Sequence, residues 1–115
     1  MVKLPSAGSL REHIAFEARA LEDDQHGNVE GDFVEQFQRR AGFTFLRGGE
    51  AVIAARLEGR QPVVVLVRSD SETRLVDTDW QMRDVRTSKV YAVKSIIPSD
   101  DRQWLHITVE SGVAS

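Results

Sequence analysis

Three histidines, His13, His26 and His106, are the residues best suited to move protons or bind a metal, and no spacing joins one to another. Two histidines one helical turn apart, or a histidine with carboxylates at loop-ligand spacing, would mark a metal centre. Asp23-Asp24-Gln25-His26 and Asp77-Thr78-Asp79 come nearest, because clustered carboxylates hold a hard cation through oxygen. Neither run continues into the remaining ligands of a loop site, and acids in turns explain both. A nucleophile needs a positioned base, and the serines (Ser69, Ser71, Ser88 and Ser95 among them) stand in no motif with one. Gly48-Gly49-Glu50 lacks the Lys-Ser/Thr that turns a glycine loop into a phosphate cradle. There is no cysteine, which excludes disulfides and thiolate metal sites. The reading is a protein that is not an enzyme and carries no cofactor, metal or catalytic residue.

A second chemistry is nucleic-acid binding. Arg39-Arg40 and Arg47 lie among Phe37, Phe43 and Phe45, and small barrels bind single strands with aromatics in a basic groove. The phenylalanines share their parity with Ala41, however, which assigns them to a core face. The net charge of −3, from 15 basic and 18 acidic residues, also lacks the basic stripe of a dedicated duplex binder. A single-stranded nucleic-acid-binding barrel therefore stands as the alternative function. No apolar run approaches the roughly 18 residues of a membrane span, and the start of the chain does not read as a signal peptide.

At 115 residues the chain reads as one domain, residues 10–112, between an arm at 1–9 and a tail at 113–115. A chain of this length buries roughly 65% of its unfolded surface, enough for a core without staples. Residues 10–21 fit two elements. As a helix they offer a capping box, Ser9 with Glu12, and as a strand they place Leu10, Ile14, Phe16, Ala18 and Ala20 on one face. Residues 22–32 lack periodicity and read as a long surface loop. Phe33, Phe37, Ala41, Phe43 and Phe45 recur at period two, which predicts a long strand bent near Gly42. Residues 50–58 predict a short helix, with Glu50 at its start, Ile53 and Leu57 one turn apart and Gly59 as its cap. Val63 to Arg68 is apolar on both faces and reads as a central strand. Leu75-Val76 and residues 80–85 read as shorter strand pieces. Val90 to Ile97 and Trp104 to Glu110 form a closing hairpin around Pro98-Ser99-Asp100-Asp101-Arg102. The sum is mainly β: a small six-stranded barrel or sandwich with one short helix and a long loop between early strands.

In this order the segments resemble a known family. Leu10-Arg11-Glu12-His13-Ile14-Ala15-Phe16 is similar to the opening of the head–tail adaptor, or head-closure (stopper), proteins of long-tailed double-stranded DNA phages. The Asp-x-x-Gly loop of that family matches Asp24-Gln25-His26-Gly27, its aromatic strand Phe37 to Phe45, and its Gly-x-Glu turn Gly48-Gly49-Glu50. Its apolar strand ending in Arg matches Val65-Leu66-Val67-Arg68. Its closing strands match Val90-Tyr91-Ala92-Val93-Lys94-Ser95-Ile96-Ile97 and Leu105-His106-Ile107-Thr108-Val109-Glu110, with a trailing Gly112. The chain departs at Phe37, where the family often has Trp, and at Tyr91-Ala92-Val93, where it has an aromatic followed by Ile.

The resemblance implies a barrel with a helix packed on its side, and it decides for a strand at residues 10–21. It also implies a ring, usually of twelve copies, in the virion neck of a phage, prophage or gene transfer agent. The implied partners are identical subunits, portal and adaptor proteins above, and tail terminator or tail-tube proteins below. Double-stranded DNA passes through the lumen without sequence-specific binding, no membrane is involved, and assembly takes place in the bacterial cytoplasm. A ring needs contacts between unlike faces of neighbouring copies. Arg11, Arg19 and Arg39 are expected to meet Glu22, Glu30 and Glu35 of a neighbour. Asp24, Gly27, Glu30, Arg39, Arg40 and Arg47 are the expected interface or channel residues, with the 22–32 loop ordered by a neighbour.

Overall fold

Val63, Val65 and Val67 are fully buried at alternate positions of one strand, and the rest of the barrel is arranged around them. The computed structural model describes residues 10–23, 28–46 and 48–112. Its elements are β1 (Glu12–Asp23), β2 (Asn28–Phe45), α1 (Glu50–Leu57), β3 (Gln61–Arg68), β4 (Gln81–Asp84), β5 (Val90–Pro98) and β6 (Trp104–Ser111). A single 3-10 turn, Thr73–Leu75, lies between β3 and β4. The six strands close into an antiparallel barrel in the order β1-β2-β3-β6-β5-β4. Ile14 and Phe16 of β1, Met82 of β4, Tyr91 and Val93 of β5, and Leu105, Ile107 and Val109 of β6 fill the core with the β3 valines. Phe37, Phe43, Trp80 and Ile96 pack against this cluster from its margins. Closing the sheet removes free strand edges from the barrel itself.

Residues 12–21 are strand, as the resemblance implied, and Ile14, Ala15 and Phe16 are all fully buried there. Leu10 is buried too but precedes the strand. Tertiary burial thus outweighs the local capping signal. The helix ends where glycine permits it: the Gly59 N–H donates to the Arg56 carbonyl and the Arg60 N–H to the Ala55 carbonyl, with Gly59 at φ +82°. This is a Schellman termination. The closing hairpin pairs Tyr91 with Ser111 through to Pro98 with Leu105, with a bulge between Val93 and Ser95.

Two expectations need correction. The segment at 22–32 is mostly strand, because β1 runs to Asp23, β2 begins at Asn28, and those two residues are paired. Beyond Glu17 the β1–β2 pair has no other strand beside it among the described residues. It leaves the barrel as a two-stranded ribbon, residues 18–23 against 28–34. A ribbon outside the core is held by its ladder of hydrogen bonds and needs no apolar alternation, so the periodicity that marks a buried strand is missing. Leu75-Val76 is not a strand piece either. Asp70 and Thr73 fold the backbone there into the 3-10 turn: the Thr73 N–H donates to the Asp70 carboxylate, and the Asp70 N–H donates to Thr73 Oγ1. This reciprocal cap is local and overrides the β propensity of the following valine.

Candidate interaction surfaces

Arg39 is odd-numbered, like Phe37 and Ala41, so its side chain rises from the inner face of β2, where the ribbon leaves the barrel. Its guanidinium lies 4.7 Å from the centre of the Phe37 ring. It donates to Asp70 at 3.0 Å and to Glu72 at 2.6 Å, both in the loop after β3. Burial raises the pKa of the Asp70 carboxyl, but hydrogen bonds from Arg39 and from the Thr73 and Glu72 backbone N–H groups outweigh it and hold the value at about 2. Arg39 itself is raised, chiefly by its bonds to Asp70 and Glu72.

A second clamp lies across β4. Arg83 donates to Glu17 of β1 at 3.3 Å and to Glu35 of β2 at 2.8 Å, and the Gln81 amide donates to Glu17 at 2.6 Å. Gln38 donates to Glu35, and His13 Nε2 lies 2.7 Å from the Gln38 carbonyl oxygen. Phe16, Phe37 and Trp80 form an aromatic row beneath these charges, with ring centres 5.4 and 6.1 Å apart. The base of the ribbon is therefore fastened to the loop after β3 and to β4 by charge pairs over an aromatic floor. Farther out, the Arg19 guanidinium lies 4.5 Å from the centre of the Phe33 ring.

This arrangement sorts the expected interface residues. Arg39 is committed within its own chain, and so is Glu35, which had been assigned to a neighbour. Arg40 is exposed, opposite His13 in the β1–β2 register, and has no ion pair among the described residues. Glu30 is paired in backbone register with Leu21 on the outer ribbon. Asp24, Gly27 and Arg47 lie outside the described residues, as does His26. Asp70, Glu72, Glu17 and Arg83 were missed. The available signal was parity: an arginine on the core face of a strand needs a carboxylate at the barrel mouth, and Asp70-Ser71-Glu72 follows the neighbouring strand.

Among the described residues no group of three or more histidine, cysteine, aspartate or glutamate side chains could hold a metal ion. His106 is exposed on the outer face of β6, as its alternation with Leu105 and Ile107 implied. Phe37 and Phe43 pack against the core rather than offering stacking faces, while Phe45 is about half exposed. No described helix is long and apolar enough to cross a membrane.

Comparison with known proteins gives the same frame. No curated protein matches the chain. Solved structures with this fold include the following two. One is a chain from the virion of a native gene transfer agent particle, 16% identical, with a TM-score of 0.64, covering 92% of this chain and 97% of that one. The other is the solution structure of protein SF1141 from Shigella flexneri 2a, 14% identical, with a TM-score of 0.67, covering 96% of this chain and all of that one. The model of the phage head completion protein family matches residues 5–112, nearly the whole chain and all the elements described above. The barrel, its fastened ribbon and that match place the chain in the phage head completion protein family, a family of virion structural proteins rather than enzymes.

Proposed function

We propose that copies of this chain assemble into a ring, of twelve subunits, at the junction of head and tail. Portal and adaptor proteins lie above the ring and tail terminator or tail-tube proteins below, with double-stranded DNA passing through its lumen. The observation that carries this reading is the ribbon. An isolated two-stranded hairpin is marginal in water, yet here its base is locked by the Arg39–Asp70–Glu72 and Arg83–Glu17–Glu35 clusters. A projecting element oriented by these pairs at one end is suited to lie against a neighbouring subunit. Arg40 is the candidate for that contact whose side chain is described. Family membership supports the virion role, and the fold shared with a chain of a gene transfer agent virion fits a neck component of a phage or phage-like particle. The net charge of −3 suits a channel that DNA crosses without sticking, since phosphate contacts dominate DNA affinity.

The test is negative-stain microscopy of the purified protein, alone and mixed with tailless, DNA-filled capsids. Rings seated at a single capsid vertex are the expected outcome. Absence of the protein from capsids, together with tight and salt-sensitive binding of the free protein to DNA, would overturn the reading.

A further inference from the structure

The helix α1 faces the wrong way for a core helix. Only Ala55 is buried, with Val52 partly so, while Ile53 is 50% and Leu57 84% exposed. Glu50, Ile53, Ala54 and Leu57 fall at the i, i+3, i+4, i+7 spacing of one helix face, and that face points to solvent. Glu50, at the start of the stripe, has no ion pair among the described residues, and Phe45, before the helix, is about half exposed. Just after the helix, Arg60 pairs with Glu58 and with Glu110 of β6.

At the other end of the barrel is a cleft of about 430 Å³ lined by Ser69, Arg74, Ile96, Pro98, Arg102 and Leu105. Leu105 and Ile96 belong to the core or its margin, while Arg74 and Arg102 are exposed and have no ion pair among the described residues. Leu75 and Ile97, 65% and 60% exposed, extend the apolar surface beside it. The two features mark opposite ends. The helix joins the end of β2 to the start of β3, where Gln61 meets Ser111 at the close of β6. The cleft lies where β3 ends, with Arg68 opposite Trp104 at the start of β6.

We infer that the Glu50–Ile53–Leu57 stripe of one copy docks into the Arg74–Arg102 cleft of a second copy of this chain. The occupant is argued from complementarity. Among the described residues neither the carboxylate that leads the apolar stripe nor the two guanidinium groups that rim the cleft has an ion pair, and stripe and cleft face solvent at opposite ends of the molecule. Two different surfaces on one subunit make a heterologous contact, which repeats around a ring when its rotation closes. Ile53 and Leu57 act as the anchors, and Glu50 fixes register against the arginines. This inference rests on the ring reading above and names the surfaces that such a ring would use.

The chain has no cysteine, so a cross-link can be placed at will. The experiment incubates Leu57→Cys/Arg74→Cys protein with tailless capsids and then adds a short bis-maleimide. Leu57→Cys/Pro98→Cys is a second pair, and the three single variants are controls. All five replace exposed side chains only, and thermal melts confirm that each folds. A covalent ladder extending beyond dimer from the double variants, absent from the single ones, is the expected result. Leu57→Asp should lower capsid occupancy about tenfold by placing a charge where an anchor sat. Rings visible on capsids with no ladder from either pair would overturn the inference and leave the ring standing. Cross-links from Leu57→Cys to a different neck protein would overturn it too. Absence of both rings and ladder would remove the ring reading itself.

Discussion

Arg39 and Asp70 do at residue scale what two strand pairings do elsewhere: they join the root of the ribbon to the loop that closes the barrel mouth. Asp70 has two tasks that a substitution can separate. Its carboxylate oxygens accept from Arg39, and one of them also accepts from the N–H groups of Glu72 and Thr73. Asparagine keeps an acceptor for the turn and removes the charge. Because the folded pKa is about 2, below the ordinary value near 4, the ionised pair stabilises the fold above about pH 4 and loses that contribution as the pH falls towards 2. Asp70→Asn should therefore lower stability at neutral pH by less than about 1 kcal/mol, the pair being partly exposed. Thermal melts should show the gap from wild type closing between pH 4 and pH 2, whereas a gap unchanged across that range would refute the role of the charge. The arginine was visible in the sequence as a candidate and assigned to a neighbour. Within its own chain it pairs with Asp70, 31 residues away, a partner that strand parity hints at but no local motif names.

At the scale of elements, the helix and the last strand meet at a point that admits no side chain. Gly112 has φ +81°, and a Cβ placed there would run into the carbonyl oxygen of Gly59, the residue that caps α1. The left-handed conformation alone costs a substituted residue about 1–3 kcal/mol, and the obstacle here is backbone that cannot swing aside. Gly112→Ala should destabilise by at least about 2 kcal/mol in urea denaturation. Gly48→Ala, where nothing lies within 4 Å, should change stability by less than about 0.5 kcal/mol. Equal midpoints for the two variants would show that the helix cap and the end of β6 are not coupled. The helix, β3 and the closing hairpin were legible nearly to the residue, because capping glycine, β-branched runs and turn residues are local signals. The outer ribbon and the 3-10 turn were not. The first is held by pairing without burial, and the second by a reciprocal side-chain cap that reads as an ordinary turn.

For the whole molecule, charge and shape decide more than any single group. With a net charge of −3 the free protein should bind duplex DNA at physiological salt more weakly than the roughly 1–100 μM typical of non-specific binders. Fluorescence anisotropy with a labelled duplex tests this, and micromolar affinity falling steeply with salt would contradict it. The family was legible in the order of weak motifs along the chain, whereas the ends of the barrel and what they present became visible only once the strands were closed. The molecule measures 56 × 35 × 27 Å, and β2 alone has 18 residues, about 60 Å of fully extended chain. That strand changes partner from β1 to β3 between Ala41 and Gly42 without interruption. Ladder bonds lie across the strand direction, so tension applied along β2 would load them together in shear instead of peeling them one at a time. A particle holding tightly packed DNA under pressure would thus find in this single strand a tether whose resistance to pulling grows with its paired length.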